Sequence, residues 1–299
     1  MRHFGTHLTL LFVTATWGGA FVAIKFLLQN HVGPLALTVG RFAIVGAILL
    51  LVLIGYGRRS PTPDRRDWLR LVAIGILGAP VYHLALNFGE TRITAAAAGV
   101  LVSTSPVLTA ALSALFLRER FTAAKAMGVA VAFAGVLLVI LFGGGGSNGG
   151  RMSWAGFLIT MICPVSWAFY NVLSKPIAGK LPSFHLTAYT GLVGTAILMC
   201  MWSGDVTRQM RALDAGSWAA LVYLGAVCTV FGYVIWYRGL RILSATQVAV
   251  YVFLVPVFGM ILARLLLHEA ITTYLALGSV LIISGIALAN LRPAVANQT

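Results

Sequence analysis

Charge is scarce in this chain, and acid is scarcer still. Only 9% of the 299 residues are charged, with seven Asp and Glu against 21 Lys and Arg. Soluble domains carry roughly 25% charged residues, so a soluble fold with this composition has too little polar surface to cover itself. The 60% hydrophobic content and a mean hydropathy of +0.94 make the bilayer the expected solvent. Cysteine is nearly absent too. Cys163, Cys200 and Cys228 stand singly in apolar runs without CxxC spacing, which excludes a disulfide framework and a cysteine metal site. Six scattered His include no HExxH pair, and no GxxxxGK[ST] run is present, so zinc hydrolysis and ATP binding by a P-loop both lack their residues. No cofactor and no metal is expected. All seven acids (Asp64, Asp67, Glu90, Glu119, Asp205, Asp214 and Glu269) fall in expected loops or helix ends, which leaves no carboxylate inside a span as a proton carrier. His83 is the mid-span group that titrates near neutrality.

Long apolar runs are what the chain has instead. A helix crossing about 30 Å of hydrocarbon needs about 20 mainly apolar residues. Ten stretches qualify: 7–28, 34–55, 69–88, 94–117, 124–142, 154–174, 183–203, 217–237, 244–267 and 272–291. The first resembles a signal peptide at its start but runs past Trp17 without a small-residue cleavage site, so it is read as a retained helix. The expected fold is all-α and membrane-integral.

The chain also echoes itself. A shift of 150 residues superposes Trp17 on Trp167, Lys25 on Lys175, Gly89 on Gly239, Pro106 on Pro256, Glu119 on Glu269, Thr122 on Thr272, Gly128 on Gly278 and Gly135 on Gly285. Two copies of one unit follow: a five-helix repeat over 1–143, a Gly-rich linker over 144–151, and a second repeat over 152–299. Five crossings per unit insert the second copy with opposite polarity, and such inverted repeats enclose a central cavity that opens alternately to either side.

Orientation follows from the basic residues. With a cytoplasmic N-terminus and C-terminus, fourteen Lys and Arg (from Arg2 to Arg292) lie inside, and four (Arg92, Arg151, Arg208 and Arg211) lie outside. That is a positive-inside bias. The net charge of +14 is therefore a topology signal and not the footprint of a nucleic-acid partner. The expected surroundings are a cell inner membrane of bacterial type. Oligomeric state is left open.

Candidate site residues are those whose polarity or ring needs a reason at mid-span. Trp68, Trp154, Trp202 and Trp218 sit at helix ends, where an indole suits the headgroup region, and Trp236 reads the same way. Trp17 and Trp167 do not. Trp17, Phe21 and Lys25 make one helical stripe, as do Trp167, Asn171 and Lys175. The third stretch carries Tyr82, His83 and Asn87, and the eighth carries Tyr233 and Tyr237 at the shifted places of His83 and Asn87. Facing inward, these stripes enclose a cavity; the plain alternative is interhelical hydrogen bonding in a packed core. Arg41, one third of the way into the second stretch, either binds a substrate carboxylate or pairs with helix-end carbonyls. Lys25 and Lys175 are explained by snorkelling. Pro106 and Pro256 soften their helices and are candidate gating hinges. The fifth and tenth stretches carry few polar groups beyond glycine and are expected to face lipid or another subunit.

Trp17-Gly18, Ser105-Pro106 with Leu117-Arg118-Glu119-Arg120, and Val255-Pro256 with Leu267-His268-Glu269 resemble the EamA-type branch of the drug/metabolite transporter superfamily. Within it the chain looks most like the YddG exporters of aromatic amino acids. The resemblance implies ten helices and export of Phe, Tyr, Trp and related amino acids. On this reading Trp17 and Trp167 stack on the substrate ring, while Tyr82, His83, Asn87 and Asn171 meet its zwitterionic end. Efflux of cationic drugs or other metabolites is the alternative transporter reading. An intramembrane enzyme is the alternative of another class, and the chain offers it no nucleophile–base pair.

Overall fold

The computed structural model describes residues 4–56, 61–93, 95–119, 122–142, 153–267 and 273–290. Every element among them is a helix, as expected where no water is available to satisfy the backbone. In chain order they are α1 (Phe4–Gln29), α2 (Pro34–Tyr56), α3 (Arg65–Glu90), α4 (Ala95–Val102), α5 (Ser105–Phe116), α6 (Ala123–Phe142), α7 (Trp154–Ala178), α8 (Ser183–Met199), α9 (Gly204–Arg211), α10 (Ala215–Ile242), α11 (Ala245–Ala249), α12 (Leu254–Leu267) and α13 (Thr273–Asn290). The Gly-rich linker, Glu269, both chain ends and several of the basic residues counted for orientation lie outside the described residues.

Helix occupies each of the ten expected stretches, but not as ten uniform rods. Five helices (α1, α2, α3, α7 and α10) are long and apolar enough to cross a membrane singly. A sixth span arises if α8 and α9, bent by 107° at their junction, are taken together. The chain is thus a multi-pass membrane protein. Its fourth stretch breaks between α4 and α5, and its ninth passes through a 3₁₀ turn at Val250–Phe253. Proline explains both places. Pro106 lies in the first turn of α5 and Pro256 in the first turn of α12, where a missing N–H costs nothing. Ser103 and Thr104 turn their hydroxyls onto the carbonyls of Gly99 and Leu101, which stand before the break.

Packing is reciprocal under the 150-residue shift. α1 lies along α10 and α12, while α7 lies along α3 and α5. Each first helix of a sequence repeat therefore packs on the third and fourth stretches of the other. α2 and α3 both rest on α8. Contact is closest where glycines let backbones touch. A Cβ on Gly18 would stand 2.8 Å from the amide nitrogen of Gly259 on α12. α6 and α13 form the tightest pair: a Cβ on Gly285 would meet the amide nitrogen of Ala132 at 2.5 Å and the carbonyl oxygen of Gly128 at 2.6 Å. These two helices pack on each other through the matched glycines, a small-residue seam of the kind used within membranes. Lipid or a second subunit can meet only their remaining faces. Leu51, Ile54, Leu69, Leu115, Leu158 and Ile283 are all exposed, an apolar coat that suits hydrocarbon.

Lys175 does not snorkel. Its ammonium donates to the carbonyls of Leu240 and Leu243, closing the C-terminus of α10. Glu119 performs the complementary task across the repeats, accepting from Ala245 N at 2.8 Å and from the Thr246 hydroxyl at 3.0 Å at the start of α11. Arg118, at φ 52°, turns the chain so that the Glu119 carboxylate faces that helix end.

Gly285→Leu should lower the melting temperature of the detergent-solubilised protein, with an overpacking cost of about 1–3 kcal/mol. Gly55→Leu, where nothing lies within 4 Å of the added carbon, should leave it unchanged in the same thermal scan.

Candidate functional site

The site begins with two defects in the helices that frame it. α3 winds as π-helix over Leu77–Val81 and α10 over Tyr223–Phe231, segments that share positions under the 150-residue shift. Pro80 forces the first by removing an N–H. In the second, Thr229 turns its hydroxyl onto the carbonyl of Leu224 at 2.9 Å, one residue beyond the usual helical step. Widened turns of this kind free carbonyls, and neighbouring side chains take them. Trp17 Nε1 donates to Cys228 O at 2.8 Å, Tyr233 OH to Gly78 O at 3.2 Å, and Ser166 Oγ to Leu77 O at 2.7 Å.

Around these bonds the rings collect. Trp17 and Trp167 meet edge to face with centroids 5.3 Å apart. Tyr82 lies 5.5 Å from Trp167, Tyr233 5.7 Å from Trp167, and Tyr170 stacks on Trp167 at 4.7 Å. Trp236 tilts against Trp17 at 5.0 Å. Contacts of this geometry add about 0.5–1.5 kcal/mol each beyond buried area.

Polar groups close one wall. Arg41, 3% exposed, donates through Nε to the Thr229 hydroxyl at 2.9 Å and through Nη1 to His83 Nδ1 at 3.3 Å. A guanidinium can only donate, so His83 Nδ1 accepts and Nε2 bears the proton. That N–H donates to Tyr233 OH at 3.2 Å, and Tyr233 passes its own hydrogen to Gly78 O. The chain of donors runs one way and leaves His83 a neutral imidazole. A second proton would sit on Nδ1, facing the guanidinium. Two of the five Arg41 donors are engaged by described side chains.

These residues enclose a cavity lined by Trp17, Phe21, Ile24, Arg41, Tyr82, His83, Leu86, Val102, Trp167, Tyr233, Val252 and Val255. Its free volume is only about 50 Å³. This is a closed conformation. A drug-sized pocket is roughly 300–1,000 Å³, so a metabolite fits only when side chains part.

Seven of the ten candidate residues (Trp17, Phe21, Arg41, Tyr82, His83, Trp167 and Tyr233) line the cavity. The other three lie behind it. Asn87 donates to the Thr38 hydroxyl at 2.8 Å. Tyr237 stacks on Tyr170 and shares a 3.1 Å hydrogen bond with Thr190. Asn171 donates to Trp167 O at 2.9 Å and accepts from Trp236 Nε1 at 2.7 Å. That last bond corrects the headgroup reading of Trp236, which is fully buried. The apolar stretch read from the sequence ends at 237 and puts Trp236 in its last turn, whereas α10 runs on to Ile242 and holds Trp236 inside the helix. Among the described residues Arg41 bonds to neither a helix-end carbonyl nor an acid. Sequence reasoning passed over Thr229 and Ser166, whose roles depend on the π turns. It also missed Glu90, which is 1% exposed at the end of α3 and not in a solvated loop.

The model of the EamA-like transporter family matches residues 5–141 and again 154–291. The chain belongs to that family. It is 32% identical over 93% of its length to 96% of an uncharacterized transporter of Archaeoglobus fulgidus. It is 29% identical over 95% of its length to 92% of a probable terminal-alkyne amino-acid exporter of Streptantibioticus cattleyicolor. A probable amino-acid metabolite efflux pump of Salmonella typhimurium is also 29% identical, over 92% of this chain and 91% of that one. A crystal structure covering 95% of both chains superposes with a TM-score of 0.74 at 22% identity, a likeness of fold alone.

Asn171→Leu should destabilise the family member by about 1–3 kcal/mol, because the Trp236 indole N–H is left buried without an acceptor. Asn171→Asp, which keeps the accepting oxygen, should recover most of that loss in the same melting experiment.

Proposed function

We propose that this EamA-like transporter exports amino acids, aromatic ones foremost, by alternating access through the ring-walled cavity. On this reading ten crossings form two inverted five-helix repeats in an inner membrane, with both termini cytoplasmic. Family membership makes a small-molecule substrate the starting point, and two relatives named as amino-acid exporters narrow the class. The observation that carries the substrate reading is the Trp167 indole. Its Nε1 is buried without a partner among the described residues, whereas Trp17 spends its N–H on Cys228 O. An unspent donor in an aromatic wall, with an incompletely engaged guanidinium nearby, suits a solute with a ring at one end and a carboxylate at the other.

Arg41 also argues against cations. An aromatic cage attracts quaternary ammonium, but a guanidinium in the wall repels it, so efflux of cationic drugs ranks below amino-acid export. Transport down a gradient needs no further chemistry.

Reconstituted protein should exchange labelled phenylalanine or tryptophan in a counterflow assay across sealed vesicles. Trp17→Ala should weaken half-saturation roughly 2- to 12-fold, the equivalent of one lost ring contact of about 0.5–1.5 kcal/mol. Arg41→Met should weaken it more for amino acids than for the matching aromatic amines. Equal losses for both would remove the carboxylate role from Arg41.

A further inference from the structure

Glu90 ends α3 with 1% of its surface exposed, and neither carboxyl oxygen has a hydrogen-bond donor among the described residues. Beside it opens a vestibule, lined by Lys25, Gln29, His31, Gly33, Glu90 and Thr91, of which about 380 Å³ is reachable by the centre of a water-sized sphere. The mouth is formed where α1 ends, α2 begins and α3 ends.

The 150-residue shift shows how unusual this acid is. Lys175 on α7 donates to the carbonyl of Leu240, and their shifted counterparts are Lys25 on α1 and Glu90 on α3. One end of the molecule thus sets a lysine on a helix terminus, and the other sets a lysine and a carboxyl in the wall of one vestibule. Lys25 is the cation on an adjoining helix whose field Glu90 feels. The remaining titratable neighbours are Cys163 of α7, whose thiol donates to Tyr82 O, Tyr82 itself, His31 in the turn after α1, and the surface Arg92 that donates to Phe88 O. α7 adds the hydroxyl of Thr160 against Gly89, and α2 presents Pro34 and Thr38, none of them charged.

A carboxylate removed from water with no donor is unfavourable, and the neutral acid is the form that burial tolerates. Each oxygen exposes less than 1 Å². An ammonium group or a hydrated metal ion cannot reach such an atom, whereas a proton relayed from the vestibule can. We propose that Glu90 is a proton-binding site at this mouth. It is neutral in the closed conformation and ionised when α1 and α3 part far enough for water or Lys25 to reach it. The proton is taken from water in the vestibule and returned there, so no other reactant is needed. The pH on that side of the membrane then sets how readily the mouth opens. The inference rests on the transport reading for its consequence but not for the proton site itself.

Two measurements on the full chain in sealed vesicles test it. The infrared band of a protonated carboxyl should persist in the wild type at pH about 7, where an ordinary Glu of about 4.3 is ionised, and should be missing in Glu90→Gln. In counterflow of labelled phenylalanine between pH about 5 and about 9, the wild-type rate should change severalfold. Glu90→Gln, a mimic of the neutral acid, should hold the wild type's acid-side rate at every pH. Glu90→Asp should keep a pH dependence, and it supplies the comparison if the Gln variant folds poorly. Absence of the band from the wild type, or its survival in Glu90→Gln, overturns the proposal. So does a wild-type rate that ignores pH but follows a sodium gradient. A band present in a protein that moves no amino acid leaves the proton site standing and removes the proposed function instead.

Discussion

The edge-to-face contact of Trp17 and Trp167 is the interaction on which the arrangement turns. The two residues lie 150 positions apart in equivalent places of a sequence repeat, and their rings meet at 5.3 Å. For that to happen, α1 and α7 must converge at mid-depth, each leaning on helices contributed by the other half. The neighbours adapt accordingly. Gly18 stands next to Trp17 so that α1 can touch the backbone of α12, and the π turn in α10 offers the Cys228 carbonyl to the Trp17 indole. In hydrocarbon, apolar contact between helices brings little net gain over contact with lipid, so packing detail and hydrogen bonds decide how helices pair. A cluster of rings fastened by carbonyls that the π turns release supplies both.

Those turns explain why a cavity can exist in so apolar a bundle. Regular helix satisfies its own backbone and leaves nothing for a side chain or a solute. The segments Leu77–Val81 and Tyr223–Phe231 break that closure at matched positions, and the polar wall is built on the break: Arg41 on Thr229, His83 on Arg41, Tyr233 on His83 and on Gly78. The donor sequence fixes the tautomer of His83, and its second nitrogen faces a permanent cation. This argues against His83 as a shuttle for protons and in favour of Arg41 as the fixed charge of the cavity.

Much of this was legible in the chain because the physics of a bilayer leaves a strong trace in composition. Apolar stretches of spanning length located every described helix except the polar α9, and the shifted pairs singled out Trp17, Trp167, His83 and Tyr233, which the fold brings together. Legibility failed where backbone irregularity decides direction. Trp236 read as a headgroup anchor because the apolar stretch ends at 237, whereas α10 continues to Ile242 and Trp236 meets Asn171 within it. Tyr237 and Asn87 share stripes with cavity residues but fall one layer back, since helical spacing places a residue on a face without saying how deep its neighbours stand. Glu90 was placed among the acids of loops and helix ends, where the structure has it; the burial it meets there leaves no mark in local sequence.

Where the two halves differ is as informative as where they agree. Trp17 has its carbonyl and Trp167 lacks one, although the backbone that would supply it, Gly78, is present and is taken by Tyr233. Lys175 is consumed by a helix terminus, while Lys25 lines a vestibule beside an unpartnered acid. Strict two-fold symmetry would make both faces of the cavity alike and both mouths alike, and a carrier so built would have no preferred direction beyond its gradients. Departures at the indole and at the lysine are what the proposed solute face and the proposed pH-sensitive mouth rest on. Each leaves a buried polar group, the Trp167 indole N–H or the Glu90 carboxyl, without a hydrogen-bond partner among the described residues.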